Sequence, residues 1–444
     1  MLKKPTLFRF LLLPFMLSGM LCTVPALAQS QPVHLKLQQA IDSAWKNNNA
    51  ALLSELEEAI SRSRYKETDA IFLPQLDFSF SAVATNNALN AFGLTLQQQL
   101  VKASDFNPDL LNHPGNTADF QSRFQLRQPI LNMNLQYQRK AALMQTAVNK
   151  LQTERVKEFL TFETTRAYLQ LQLAYDAAGV LEEALQTARA LYRFTGDRVQ
   201  EGLLQQSDLL NVKVKVTTVE TQLAIANSNI QNASDYLSLL MGVPAGDVYT
   251  VEDFQFADTV ETALVPTDRA DFSAMKKAIE ATNLMIRADK MSYLPRLNAV
   301  ASWQTNDNRL PGFGANSYLA GLQLSWDIFK GNSTRNKLAT QSLEQNRLKL
   351  QLTGQMQQSQ VELNKTNRDR ADAAFRIQQQ KTAVEAAREA LRILQDRYEQ
   401  GLVNSTDVLL AQTQLAQEQL NLASAKFDQN LSRARLIYLT THKK

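Results

Sequence analysis

The chain has 444 residues, with 47 Lys and Arg, 43 Asp and Glu and 3 His, a formal charge of +4. Lys3, Lys4 and Arg9 fall in an N-terminal leader, so the remainder carries 44 basic against 43 acidic residues, a balance that argues against nucleic acid. Cys22 is the single cysteine, which excludes a disulfide framework, and 14 Gly and 12 Pro are few for several compact domains but suit long helices.

The chain begins with those cations, the apolar run FLLLPFMLSGMLC (10–22) and then Ala26-Leu27-Ala28. This order of positive, apolar and small residues predicts a secretory signal peptide over 1–28. Leu21 before Cys22 is not small, which argues against a lipoprotein. Beyond the leader no apolar run is long enough for a membrane-spanning helix, so any membrane role must use strands.

Strands are expected over about 75–86 and 119–129, joined by a long loop containing DFNPDLLNHPGN. Phe78, Phe80, Phe124 and Leu126 share one face, and Arg123 and Arg127 lie on the other. From Asn132 to about 199 there is no proline and no run of turn residues. A helix of that length is on the order of 100 Å long and needs lateral partners. It ends in DRVQEGLLQQSDLL (197–210), a glycine corner followed by a shorter helix. Val243-Pro244 and the acidic VEDFQFADTVE then mark a non-helical connector around 245–268.

The same plan then recurs. Strands are expected over about 296–304 and 318–328, with Trp303, Leu322, Leu324 and Trp326 on the apolar face and Gln323 opposite. A second long helix runs from Asn332 to about 400, and DRYEQGLVNSTDVLL (396–410) repeats the corner at a constant offset of 199 residues. FLPQLDFSF (72–80) is echoed by YLPRLNAVA (293–301), and FQLRQPILNMN (124–134) by LQLSWDIFKGN (322–332). Matches in one order in both halves indicate an internal duplication, with repeats expected over 29–257 and 258–444. Val384, Ala387, Leu391, Leu394 and Tyr398 form a heptad-like seam, and Leu420, Ala423, Phe427, Leu431, Ala434 and Tyr438 face it from the last helix. At the corner, Gly401 suits a left-handed helix end, Ser405 or Thr406 a cap, and Asp407 the positive end of the new helix.

Strands of about ten residues with alternating apolar and polar faces and terminal aromatics match a membrane barrel, although a small soluble sheet alternates in the same way. Four strands cannot close such a barrel, which needs about eight or more, so several copies must share it. The expected fold is mainly α with a membrane β-barrel: an internally duplicated protomer with very long coiled-coil helices and four strands. His34, His113 and His442 are scattered without metal-ligand spacing, and no phosphate-loop or nucleophile-elbow motif occurs. No enzyme, metal or cofactor is expected.

With LPQL and LPRL at strand starts, QPILNMN and WDIFKGN at strand-to-helix junctions, and paired EGLLQQSDLL and QGLVNSTDVLL corners, the mature chain resembles the TolC-like outer-membrane efflux and secretion channels. The resemblance implies a homotrimer whose twelve strands form one barrel in outer-membrane lipid and whose helices form a periplasmic tunnel. It implies docking, through corner residues such as Gly202, Leu203, Gly401, Leu402 and Val403, onto a periplasmic adaptor (membrane fusion) protein and an inner-membrane transporter of RND, ABC or MFS type. Such a trimer is the passive exit duct of a tripartite efflux pump or type I secretion system. In that family acidic residues ring the tip, and Asp407 matches one such position, while Leu410 stands where a second is expected. Asp208 and Tyr398 match positions of a closing network, whose arginine is replaced by Val403. Read from the residues alone, both aspartates are equally well helix N-terminal caps. A second functional reading, a non-conducting periplasmic coiled-coil adaptor or scaffold protein, accounts for the leader and heptads but not for the duplicated strands.

Overall fold

The computed structural model describes residues 33–256 and 264–441; the expected leader, Cys22, His442 and the expected repeat boundary lie outside them. The first half runs β1 (Val33–Leu35), α1 (Leu37–Asn47), α2 (Asn49–Glu67), β2 (Gln75–Thr85), α3 (Ala88–Gln97), α4 (Pro108–Asn112), β3 (Thr117–Leu131), α5 (Met133–Gln200) and α6 (Gln206–Met241). The second runs β4 (Tyr249–Val251), α7 (Ala270–Met291), β5 (Arg296–Asp307), β6 (Ala315–Ser325), α8 (Ser333–Glu399) and α9 (Ser405–Thr440). The long helices α5 and α8, of 68 and 67 residues, begin and end within a residue or two of where the absence of breakers places them. Among the described residues no helix is long and apolar enough to cross a membrane.

The helices make four parallel rods. Asn48 joins α6 to α2 end to end: its Nδ2 donates to Leu240 O (2.9 Å) and its Oδ1 accepts from Ala50 N (2.8 Å). Gly242 ends α6 at φ +67, and a Cβ there would stand 2.3 Å from Asn47 O, so only glycine fits this junction. Arg269 joins α9 to α7 in the same way, donating to Leu439 O (3.3 Å). α5 packs against α6 and α2 on one flank and α9 and α7 on the other, while α8 packs on α9 and α7. The rods therefore follow the order α6–α2, α5, α9–α7, α8, and the first and last keep an open flank.

Arg269 lies at the centre of a charged knot. Its guanidinium, 2% exposed, makes two bonds to Asp271 (2.7 and 2.8 Å), one to Ser359 (2.8 Å) and one to Leu439 O. Arg155 sits beside it, bonded to Glu158 (2.7 Å) and stacked 3.7 Å over the Tyr438 ring. Burial works to raise the Asp271 carboxyl, but the Arg269 guanidinium outweighs it and holds that carboxyl below the usual range. For Glu158 burial wins over Arg155, and its carboxyl is held above the usual range.

Several expectations need correction. The connector after α6 is non-helical where it is described, as expected, but it is not without order: β4 pairs in parallel with β1, and Tyr249 is buried in one cluster with Leu237 and Tyr168. Of the facing stripe on α9, Ala423 and Ala434 are buried, but Leu436 and Leu439 bury more fully than Leu431 or Tyr438. They turn towards Leu363 of α8, a contact that heptad spacing on one helix does not reveal. The other seam holds: Val384, Leu391 and Tyr398 are buried in one cluster, with Ala387 and Leu394 at its edge.

The four main strands form one antiparallel sheet in the order β2-β3-β5-β6. The last strand covers 315–325 rather than 318–328, because Asp327 leaves the ladder to pair with Arg296 (2.8 Å) and Lys330 (2.6 Å). The long loop before β3 carries α3 and α4. It is fastened by Gln98, whose amide donates to Asp119 (2.9 Å), which also accepts from Asn306 (2.9 Å); all three are buried.

Candidate functional site: the paired corners and the two sheet faces

Both long helices end in the same hydrogen-bonded motif. Gly202 and Gly401 each sit at φ +74, where a side chain costs about 1–2 kcal/mol. Gly202 N donates to Val199 O and Leu203 N to Arg198 O; Gly401 N donates to Tyr398 O and Leu402 N to Arg397 O. These are paired Schellman closures that satisfy the last helical carbonyls.

The next helix in each corner is opened by a carboxylate. Asp208 accepts from Gln205 N (3.2 Å), and Asp407 accepts from Asn404 N (3.4 Å). Asn404 is the cap in the second corner, its Oδ1 accepting from Asp407 N (3.0 Å). This corrects the expectation of Ser405 or Thr406. Ser405 is buried inside the first turn instead. Asn is as good a cap as Ser, and the residue three before the acidic one completes the reciprocal box.

The two corners are stitched together. Tyr398, 4% exposed, meets Thr195 Oγ1 at 2.9 Å. Thr195 gives its proton to Leu191 O (2.8 Å), so the tyrosine hydroxyl is the donor. Arg198 donates to Glu399 O (2.9 Å). Asp208 is not bonded to Tyr398. Where an arginine is expected, Val403 packs with Leu204 against the cluster of Leu191, Val212, Tyr398 and Val408. Thr195 and Arg198 escape the sequence reading; Arg198 stood in the repeated Asp-Arg pair, but its carbonyl partner is visible only in three dimensions. Leu203 and Leu402 are 60% and 70% exposed at the turn tips, whereas Val403 is half-buried. Tyr398→Phe removes one buried bond, worth about 1 kcal/mol. Amide exchange at the ends of α5 and α8 is expected to quicken about fivefold; an unchanged rate assigns the tie to apolar packing.

The sheet separates two surfaces. Phe78, Phe124, Trp303 and Tyr318 are register partners in one row, with Phe78 and Phe124 rings 4.8 Å apart and Phe124 and Trp303 5.9 Å apart. Leu76, Leu126, Leu322 and Leu324 extend the same face, and Phe80 lies on it one step further; all are exposed in the protomer. Trp326 falls just past β6, where its Nε1 donates to Tyr293 O (2.8 Å), at the strand-to-helix boundary rather than within the apolar band. The opposite face bears Asp77, Arg123, Gln125, Arg127, Ser302, Gln304, Ser317 and Gln323, with Arg123 Nε donating to Gln304 Oε1 (3.1 Å). Among the described residues no group of acidic, histidine or cysteine side chains is gathered to hold a metal.

The sequence profile of the family described as outer membrane efflux protein matches residues 40–243 and 266–441. The chain is 23% identical to the outer membrane protein TolC of Escherichia coli strain K12 over 446 residues, covering 94% of this chain and 83% of that protein. Its fold superposes on a crystal structure of CusC with a TM-score of 0.78 at 17% identity, covering 94% of this chain and 96% of that one. The CmeC outer membrane channel of Campylobacter jejuni superposes with a TM-score of 0.77 at 16% identity, covering 97% and 94%.

Proposed function

The chain belongs to the outer membrane efflux protein family, and we propose that three copies assemble into the exit duct of a tripartite efflux pump. A member of this family is an outer-membrane channel with a periplasmic helical extension, and it is not an enzyme. That membership sets aside the non-conducting scaffold reading.

The observation that carries the trimer is the matched pair of open edges. β2 and β6 are both 11 residues long and unpaired on their outer sides. They run in opposite directions, so β6 of one copy can pair antiparallel with β2 of the next. An open edge is not tolerated in lipid. Three copies supply twelve strands, within the range of closed membrane barrels. The helical flanks agree with this: Val214 and Ile225 on α6 and Leu343, Leu350 and Phe375 on α8 are exposed apolar residues on the two rods that lack a neighbour. The halves 29–257 and 258–444 then act as two copies of one unit, giving six pseudo-equivalent units around the axis.

In this reading the apolar face meets lipid and the Arg123, Arg127 and Gln323 face lines the lumen. The corners form the periplasmic tip, where Asp407 rings the aperture, Tyr398 holds α8 against α5, and Asp208 caps α6. Exposed Leu203 and Leu402, with the glycines that shape their turns, offer an apolar contact to a periplasmic adaptor, which links the duct to an inner-membrane transporter. Single-channel recording of the purified mature protein in a planar bilayer tests this. Discrete openings from a heat-modifiable trimer are expected. Well-folded trimers that never conduct would overturn it.

A further inference from the structure

We propose that the barrel lumen holds an anion-binding ring built on Arg123 and Arg127, an inference that rests on the trimeric channel above. Both arginines stand on β3, two positions apart on the polar face. β3 is hydrogen-bonded on both sides within the protomer, to β2 and β5, so no strand of a neighbouring copy supplies their register partners. Those partners are Ser79 and Gln304 for Arg123, and Gln75 and Val300 for Arg127, all uncharged.

Arg123 spends only its Nε on Gln304, a neutral acceptor, and neither arginine has an ion pair among the described residues of the protomer. Among the described residues the one free carboxylate on this part of the face is Asp77, opposite Gln125 and diagonal to both. Each copy therefore keeps one unbalanced positive charge in mid-barrel, where Arg123 lines a shallow concavity with Gln125, Ser302, Gln304, Ser317 and Gln323 beside the apolar Val300 and Leu319. Its polar groups besides the guanidinium are amides and hydroxyls, without a carboxylate. A guanidinium with unused donors among amides and hydroxyls recognises carboxylate, sulfonate or phosphate oxygens.

The duplication sharpens the assignment. In the repeat, the places of Arg123 and Arg127 are taken by Gly321 and Ser325, so the strand plan itself does not require arginine. Three copies place six guanidiniums around one lumen, and rings of basic side chains favour anions in pores. The conduit is then acidic at its periplasmic tip and basic in its outer barrel. Anionic solutes are held and passed on in the barrel after entry.

The test uses full-length trimers carrying Asp407→Asn, so that tip carboxylates do not set the selectivity. Inorganic pyrophosphate is added on the barrel side, and the reversal potential is read in a potassium chloride gradient. Arg123→Gln with Arg127→Gln is expected to weaken pyrophosphate block about tenfold or more and to lower the chloride-to-potassium permeability ratio. The Arg123→Lys, Arg127→Lys pair should keep most of the ratio while losing part of the block. Openings in which the Gln pair leaves both readouts unchanged overturn the ring alone. Trimers without openings in any variant overturn the channel reading and the ring with it.

Discussion

Asp407→Asn is expected to abolish block of the channel by a trivalent cation added at the periplasmic side, with little loss of tip stability. Three carboxylates about 6 Å from a trivalent ion attract it by roughly 6 kcal/mol in water, and by about 3 kcal/mol once physiological salt screens them. That amounts to roughly a hundredfold or more in block affinity. Asp407 also accepts the Asn404 N–H at 3.4 Å, so the charge and the cap share one side chain. Asn retains an acceptor and removes the charge, whereas Ala removes both. Asp407→Ala should therefore lose the block and also loosen the α9 start by about 1 kcal/mol. Thermal dissociation of the trimer, read beside the bilayer recordings, separates the two roles. If both variants keep the block, the carboxylate is only a cap and the constriction lies elsewhere.

Arg269→Ala should destabilise the protomer by roughly 3–5 kcal/mol, the cost of leaving a buried charge without its partner. The residue is 2% exposed, and its removal strips Asp271 of two bonds and Ser359 and Leu439 O of one each. The α9–α7 junction would lose its tie to α8, so loss of assembled trimer in the membrane is the first expected sign. The dependence on pH carries a sign. Asp271 is held below its ordinary value in the fold, so its stabilising contribution is complete above the unfolded carboxyl's ordinary pKa of about 4 and disappears as pH falls through the lower folded value. Unfolding measured from pH 7 down to strongly acid conditions should show this loss in the wild type and a flatter profile in the variant. Parallel profiles would place the cost of Arg269→Ala in lost packing over Phe272, which its guanidinium covers at 4.2 Å.

The periodic parts of this protein were legible from the residues. Freedom from breakers between Asn132 and about 199 predicts α5, and the helix observed runs from Met133 to Gln200. Alternation over 75–86 predicts β2, observed at Gln75–Thr85, with Phe78 and Phe80 on the face foreseen for them. The glycine corners were readable because a left-handed helix end restricts the residue type, and the offset of 199 made each corner a control for the other. Each of these features depends on interactions within a few residues, which the order of amino acids dictates.

What joins the rods was not legible. Nothing in the neighbourhood of Asn48 announces its bond to the carbonyl of Leu240, 192 residues away. Arg269 lies in a polar stretch, TDRAD, yet it is among the most buried charges of the described residues. Thr195 is one more polar residue on a long helix until Tyr398 arrives from 203 residues further on. The short β1–β4 pair and the strand shift at Asp327 escaped for the same reason, since each is settled by a partner distant in sequence. By itself the sequence determined the two long helices, the glycine corners and the two faces of the four main strands. The tertiary structure alone decided the order of the rods, which charges are buried and which flanks stay open, because a buried ion or carbonyl takes whatever partner packing brings to it.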